Sequence, residues 1–449
     1  NNANTRSPLA RVCNKLLDCG YVAAQNVDRQ SPGQDVEDYI QQSWKKTLRY
    51  NPKDSADHIG LPKPYTVPCI SGHFQEMYYW DTYFTNVGLL LDGHIEWAID
   101  NTENLASLVE RFGKVFNGSR YMYRYNSQPP YLCMMVADIY ARTGDKEWLG
   151  RMFGTLEKEY RFWMTHRMTP CGLNRYSNDV IDKQKDRGMA QYAKSRTKCN
   201  IALDSLSERE VTTFASHARA ECESGWDFTP RFENRCEDFC PVDLNANLYY
   251  YEQSLARFCR ILGMPLKEGK WEKAARRRKR LIQKYMYNAK DCLYHDYDYV
   301  NRRLSPVRSA AVFSLLFSKV LSAGKAKSVA RHALKVLEFP YGIAATEKGD
   351  YHGTYQWAYP NGWAPLQYIA IKGLENYGMT TDAYRLARTY VDGQNRIFAQ
   401  THNLWEKYNV VEGSTRVISE GEYDMPPMMG WTAGVYLYAL QYVEYHKYR

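Results

Sequence analysis

The sequence lacks most of the signatures of proteins that handle phosphates, metals or nucleotides. It has no Gly-x-x-x-x-Gly-Lys-Ser/Thr loop, no Gly-x-Gly-x-x-Gly fingerprint and no Gly-x-Ser-x-Gly elbow, which argues against P-loop NTPases, dinucleotide-binding folds and α/β-hydrolases. Histidine is scarce, with 10 among 449 residues, and no His-rich cluster offers a metal set. Cys236 and Cys240 lie four apart, but no second pair with nearby histidine completes a zinc site. No apolar run approaches the roughly 20 residues that span a bilayer. Strand-like alternation is scarce, and no repeat of about 34 to 45 residues supports a solenoid. No low-complexity linker divides the chain.

The bulk composition is that of a large globular protein. Hydrophobic residues make up 44% and charged residues 24%, enough for a sizeable core. The net charge of +9 gathers most densely at Arg276-Arg277-Arg278-Lys279-Arg280. That run continues a helical pattern, so it reads as a solvated helix face rather than a nucleic-acid site. The 11 cysteines are read as buried free thiols, and they leave the compartment open. The chain opens on Asn1, which gives the expectation of a processed N-terminus and a periplasmic or secreted protein, with the cytoplasm as the alternative. Tyr, Trp and Phe together reach 14%, a composition that suits stacking on flat, amphipathic ligands such as sugars.

Apolar residues recur at three- and four-residue spacing over Glu37–Tyr50, Ile95–Phe112, Tyr131–Arg142, Trp148–Thr165, Leu244–Leu262, Trp271–Tyr287, Ala310–Ser322, Ala326–Leu337, Pro365–Tyr377, Thr381–Ala399 and Trp431–Tyr445. Short links such as Thr143-Gly144-Asp145 favour antiparallel neighbours. Eleven or twelve helices in consecutive pairs predict an all-α fold, a closed toroid of helical hairpins. The irregular stretches between them, Asn51–Thr82, Asn117–Pro130, Cys171–Asp227, Gly342–Ala364 and Tyr408–Gly430, would gather at one end and carry the chemistry.

Those stretches hold an unusual mixture of carboxylates beside Trp and Tyr, with Asn, Gln and Arg nearby. In Cys222-Glu223-Ser224-Gly225-Trp226-Asp227-Phe228-Thr229 a carboxylate directly follows a tryptophan, with glycine available for close approach. Glycoside hydrolysis needs such a set: one carboxylic acid to protonate the leaving oxygen and a second carboxylate as base or nucleophile. Asp227 and Glu406 are distant in sequence, a separation that a closed toroid permits. The residues alone place a glycosidase ahead of a sugar-binding or scaffold protein.

The stretches FQEMYYWDTYF (74–84), NGSR (117–120) with SQPP (127–130), ESGWDF (223–228), PVDLNANLYY (241–250), QWAYPNGWAPLQ (356–367) and EKYNV (406–410) with GEY (421–423) and GWTAGV (430–435) occur in the order of the trehalase family, glycoside hydrolase family 37, which the sequence resembles over roughly residues 70 to 440. The resemblance implies an (α/α)6 barrel with an inverting mechanism. On this basis residues 1–449 form a single catalytic domain, with 1–50 as a helical extension packed on the barrel. The general acid would be Asp227 and the general base Glu406. Substrate contacts would fall to Phe74, Trp80, Asp81, Asn117, Gln128, Trp357 and Glu422. No metal or organic cofactor is implied, and the expected partner is a small carbohydrate bound by a monomer.

The chain also departs from that family in its basic residues. His73, Gln75 and Asn126 stand where arginine is usual, although Arg124 lies close enough to substitute in part for the last. Ser177–Lys183 replaces an Arg-Pro-Arg-Pro-Glu-Ser segment, and Ala358 replaces the Asp of Gln-Trp-Asp. Arginine offers a rigid fork of donors that Asn or His cannot reproduce. These changes favour a hydrolase with altered specificity over a true trehalase or a non-catalytic sugar-binding paralogue.

Overall fold

A computed structural model describes residues 34–181, 183–417 and 425–447. Its helices, in chain order, are α1 Gln34–Trp44, α2 Tyr79–Leu91, α3 Ile95–Phe112, α4 Leu132–Thr143, α5 Lys146–His166, α6 Asp186–Thr197, α7 Glu208–Glu223, α8 Val242–Leu262, α9 Pro265–Met286, α10 Phe313–Phe317, α11 Ala323–Leu337, α12 Ala364–Glu375, α13 Thr380–Thr401 and α14 Gly430–His446. The described strands are two or three residues long and join in small antiparallel pairs. None of the described helices is long and apolar enough to cross a membrane.

Burial sorts the helices into two rings. Every residue of α2 is buried, and α4, α8, α10, α12 and α14 are buried along most of their length. The helices between them are amphipathic. On α9, for example, Trp271, Ala275, Arg278, Ile282 and Met286 form one inward stripe, at the spacing of a single helical face. Inner helices pack on outer neighbours, as α2 does on α3, α8 on α9 and α12 on α13, and the last helix, α14, packs against the first inner one, α2. That last contact closes a toroid. The closure depends on two glycines: a Cβ on Gly88 would lie 2.5 Å from the Cα of Gly434, and one on Gly434 would strike the carbonyl oxygen of Phe84.

The helices differ from the sequence expectation in four places. The segment from Ala310 forms a 3-10 turn and then the short α10, and the chain turns into a left-handed conformation at Lys319 (φ 59°). Helix α1 stops at Trp44, and Leu48–Arg49 pairs as a strand with Tyr65–Thr66. Helix α2 lies in a stretch that reads partly as loop, since a helix buried on every side, its polar Asp81, Thr82, Thr85 and Asn86 included, shows no clear amphipathic period. The stretch 171–227 contains α6 and α7 instead of being irregular. The α7 start carries a capping box, with Ser207 accepting from Glu210 N–H and Glu210 accepting from Ser207 N–H, a four-residue signal legible in the sequence.

The basic run on α9 is exposed except at Arg278, which is buried. Arg278 Nε donates to Glu252 Oε1 at 2.8 Å, and its Nη1 donates to Asn174 and Asn245, both at 2.9 Å.

Candidate active site

Consecutive antiparallel pairing makes the inner helices run the same way, so their N-termini share one mouth of the toroid. Asp81 lies in the first turn of α2, Gln128 just before α4, Asp227 before α8, Trp357 before α12, and Glu406 before α14. The helix macrodipoles at this end favour negative charge.

The loop after α7 shows why glycine precedes Trp226 and Asp227. Gly225 adopts φ +73°, and a Cβ there would fall 2.8 Å from the Trp80 indole. Glycine meets both demands. Behind the loop, buried Glu223 accepts two hydrogen bonds from Arg167, at 2.8 and 2.9 Å, and further ones from Ser127 N–H and Ser177 N–H. In front, Trp357 N–H donates to Phe228 O at 3.1 Å, and the Gln356 amide donates to Asp227 O. The acid loop is therefore held from both sides.

Glu406 directly precedes a short strand. Asn361–Trp363 pairs antiparallel with Lys407–Asn409, with Trp363 opposite Lys407, so two motifs far apart in sequence become neighbours. Gly362 is needed at this crossing, because a Cβ there would collide with Val410. Glu406 is buried, and its Oε2 pairs with Lys407 Nζ at 2.7 Å. The Trp431 indole N–H donates to the Glu406 carbonyl at 3.0 Å.

Beneath these carboxylates lies a tryptophan cluster. Trp357 stacks on Trp363 at 3.8 Å and on Trp226 at 5.1 Å, while Trp431 meets Trp80 edge-on at 5.7 Å. Trp80 and Trp357 retain only 3% and 2% exposure, so they build the floor of the site and offer little open stacking surface. Gln128 Oε1 accepts from Trp80 N–H at 3.1 Å, and the Asn117 amide donates to the carbonyls of Ser127 and Cys222, both at 3.3 Å. These amides thus brace the loops that carry the acids. Phe74 sits at the rim in a left-handed conformation (φ 61°). It meets Tyr78 edge-on, and Tyr78 in turn hydrogen-bonds Tyr123 at 2.9 Å. Glu422 lies outside the described residues.

The carboxylates sense one another. Burial pushes Asp81 up to about 8, with the charges of Glu406 and Asp227 adding to the rise. Asp227 is half-buried, yet enough protein surrounds its carboxyl that burial lifts it to about 7. Arg196 pulls against that rise, the Cys222 thiol donates a hydrogen bond, and Glu406 adds a smaller upward push. Burial outweighs the helix dipoles here, because a charge in a low-dielectric site loses its hydration. Asp81, Asp227 and Glu406 therefore share one electrostatic site. The sequence does not single out Arg196, Cys222 or Lys407. Lys407 stands inside a quoted motif, whereas Arg196 lies on α6, whose buried side is Asp186, Ala190, Ala193 and Thr197, with no large apolar residue.

The replaced arginine positions have distinct fates. Gln75 Oε1 accepts from Arg49 Nη2 at 2.6 Å, so a guanidinium from a distant strand reaches that spot. Asn126 bridges the carbonyls of Ser177 and Arg219. Arg124 is exposed and lies over the Tyr125 ring at 4.2 Å, so it does not take the lost arginine's place. Ser177 and Asp179 are held by Glu237, Arg167 and Lys114. Ala358 is buried in an apolar cluster with Phe228, Tyr355, Ala193 and Ala218.

Comparison with known proteins supplies the context for this site. Residues 20–444 match the sequence model of the trehalase family. A periplasmic trehalase from Salmonella paratyphi C is 31% identical over 439 residues, covering 92% of this chain and 74% of the relative. One from Salmonella dublin is also 31% identical, over 433 residues with the same coverage. Among solved structures, the neutral trehalase Nth1 from Saccharomyces cerevisiae superposes with a TM-score of 0.74 at 28% identity, covering 90% of this chain and 80% of that one. A GH63 mannosylglycerate hydrolase from Thermus thermophilus shares the fold, at TM-score 0.61 and 16% identity, over 90% of this chain and 99% of that one. With a closed helical toroid, its carboxylates gathered at one mouth and matches along nearly its whole length, the chain belongs to the trehalase family of glycoside hydrolases.

Proposed function

We propose that the protein is an inverting O-glycoside hydrolase acting on an α-glucoside or related small glycoside, with Asp227 as general acid and Glu406 as general base. The observation that carries this reading is the electrostatic grouping of Asp227, Glu406 and Asp81, with Asp227 pushed up to about 7. A carboxyl kept partly protonated near neutral pH can donate its proton to the leaving oxygen. Glu406, held at the start of a separate strand beside Lys407, takes a proton from the attacking water on the opposite face of the sugar. That division of labour needs carboxyls about 6.5–9.5 Å apart. The protein would act as a monomer in the periplasm or outside the cell, as the location of its bacterial relatives suggests.

The relatives are named for trehalose, but this site supports a changed sugar or aglycone. Asn126 and the 177–179 segment are committed to scaffold contacts, and Ala358 presents a methyl group where the family carries a carboxylate. A sugar hydroxyl buried without its usual partner costs about 1–3 kcal/mol.

A panel of disaccharides and α-glucosides that includes trehalose, followed by NMR, tests the reading. Hydrolysis should release the β-anomer first, and a substrate other than trehalose should show the highest kcat/KM. Asp227→Asn and Glu406→Gln should each lower kcat by roughly 10²–10⁴-fold. Full activity in either variant would remove that residue from its role. Trehalose as the preferred substrate would refute the altered specificity, and binding without turnover would favour a sugar-binding paralogue.

A further inference from the structure

Two thiols far from the carboxylates sit in contact. Cys171 Sγ lies 3.8 Å from Cys240 Sγ, and the two residues are 69 apart in sequence. Cys171 occupies the tight turn Thr169–Leu173, where Gly172 adopts φ +87° and Thr169 N–H donates to Leu173 O at 2.9 Å. Cys240 ends a short strand paired with Tyr297–Asp298. The Thr169 hydroxyl donates to Leu173 O at 2.7 Å, so its oxygen is left to face both sulfurs, at 3.2 Å from Cys171 and 3.5 Å from Cys240. Cys171 is partly exposed and Cys240 is buried.

We propose that Cys171 and Cys240 form an oxidisable dithiol, a covalent modification site that closes to a disulfide by exchange with a small-molecule disulfide. Their environments differ in the way such a reaction requires. The Cys240 S–H donates toward Cys171, and this hydrogen bond, helped by the backbone N–H groups of Leu173 and Cys171 against the opposing effect of burial, brings the Cys171 thiol down to about 6. Burial holds the Cys240 thiol well above its ordinary range. Cys171 is thus the accessible thiolate and Cys240 the resolving thiol.

The Cys171 thiolate attacks one sulfur of an oxidised disulfide such as oxidised glutathione and expels the other half as a thiolate. Cys240, as it loses its proton, then attacks Cys171 Sγ in the mixed disulfide, forms the internal bond and releases the second half. Two protein thiols and one small disulfide give one protein disulfide and two small thiols. Closure requires the sulfurs to approach from 3.8 Å to about 2.05 Å, a movement the partly exposed turn can supply. The bond would tie the turn carrying Asn174 to the strand that leads into α8, where Asn245 already bonds Asn174. In an oxidising compartment the staple would persist, and under a cytosolic glutathione poise it would open.

The test uses the reduced full-length protein, incubated in glutathione buffers of increasing oxidation. Remaining thiols are then alkylated, and proteolytic peptides are mapped by mass spectrometry. One cross-linked peptide pair joining Cys171 to Cys240 is expected, with the loss of two alkylatable thiols and a Tm rise of roughly 2–5 °C. Cys240→Ser should stop at a mixed disulfide on Cys171, and Cys171→Ser should give neither adduct nor cross-link. A different pairing, or both thiols remaining alkylatable in fully oxidised buffer, would overturn the proposal, and the wild-type map decides this even where a variant fails to fold.

Discussion

Arg196 is the residue whose role most needs its surroundings to be seen. Its charge pulls the Asp227 carboxyl down against burial and the charge of Glu406. Glu221 also feels Asp227, and the Cys222 thiol shares the carboxyl. If Asp227 must be protonated to act, activity falls as pH rises through its pKa of about 7. Removing the guanidinium raises that pKa, so Arg196→Gln should move the alkaline limb of the kcat/KM profile upward by roughly 0.5–1 pH unit. An unchanged limb would mean that the acid does not sense Arg196. Asp227 and Glu406 stand out in the sequence because each is a carboxylate set among aromatic residues, Trp226 and Phe228 for the one and Trp405 and Tyr408 for the other. Arg196 is not, because neither its own helix nor its distance to Asp227 leaves a trace in local sequence. The roles expected for Trp80, Gln128 and Asn117 are joined in the structure by bracing contacts, which depend on neighbours brought together only by the fold.

At the level of elements, the amphipathic outer helices are plain in the sequence, and the misses follow from how the signal arises. Helix α2 is buried on every side, so its sequence carries no polar face to set a period. Helix α6 is polar with alanines beneath it, which gives too weak an apolar stripe. Helix α7 is announced by its capping box, a signal that periodicity alone passes over. The α2–α14 crossing gives a direct test. Gly434→Ala would drive a methyl into the Phe84 carbonyl, and backbone cannot yield as a flexible side chain does. The variant should lose about 2–3 kcal/mol of stability, measured by urea unfolding. A control such as Gly154→Ala, where a Cβ meets nothing within 4 Å, should be neutral or slightly stabilising, since alanine is the better helix former. Equal stability of the two variants would show that the crossing tolerates a side chain.

Across the whole molecule, buried carboxyls make stability depend on pH with a definite sign. Asp81 and Glu221 stand at about 8, and Asp227 and Glu159 at about 7, all lifted chiefly by burial. In the unfolded chain such groups ionise near 4. Between these values the folded state binds more protons, so stability is greatest below the unfolded pKa and declines as pH climbs from about 4 to 8. Asp179 and Asp298 behave oppositely. Burial pushes them up, but hydrogen bonds from Arg167 to Asp179, and from Asn301 N–H and Arg235 to Asp298, hold them below their ordinary value. Their contribution is lost as pH falls through that lowered range. Calorimetry should therefore place the highest Tm in mildly acidic solution, at roughly pH 5, and a Tm that rises steadily to pH 8 would contradict the assignment of the buried acids. The toroid itself has a consequence for biogenesis. Helix α2 needs cover on every face, and one of its covers is α14, at the far end of the chain. On the ribosome that flank must wait bare until α14, Gly430–His446, has emerged. The ring is thus sealed only once α14 has emerged, and a nascent chain of this protein is a natural client for holding chaperones.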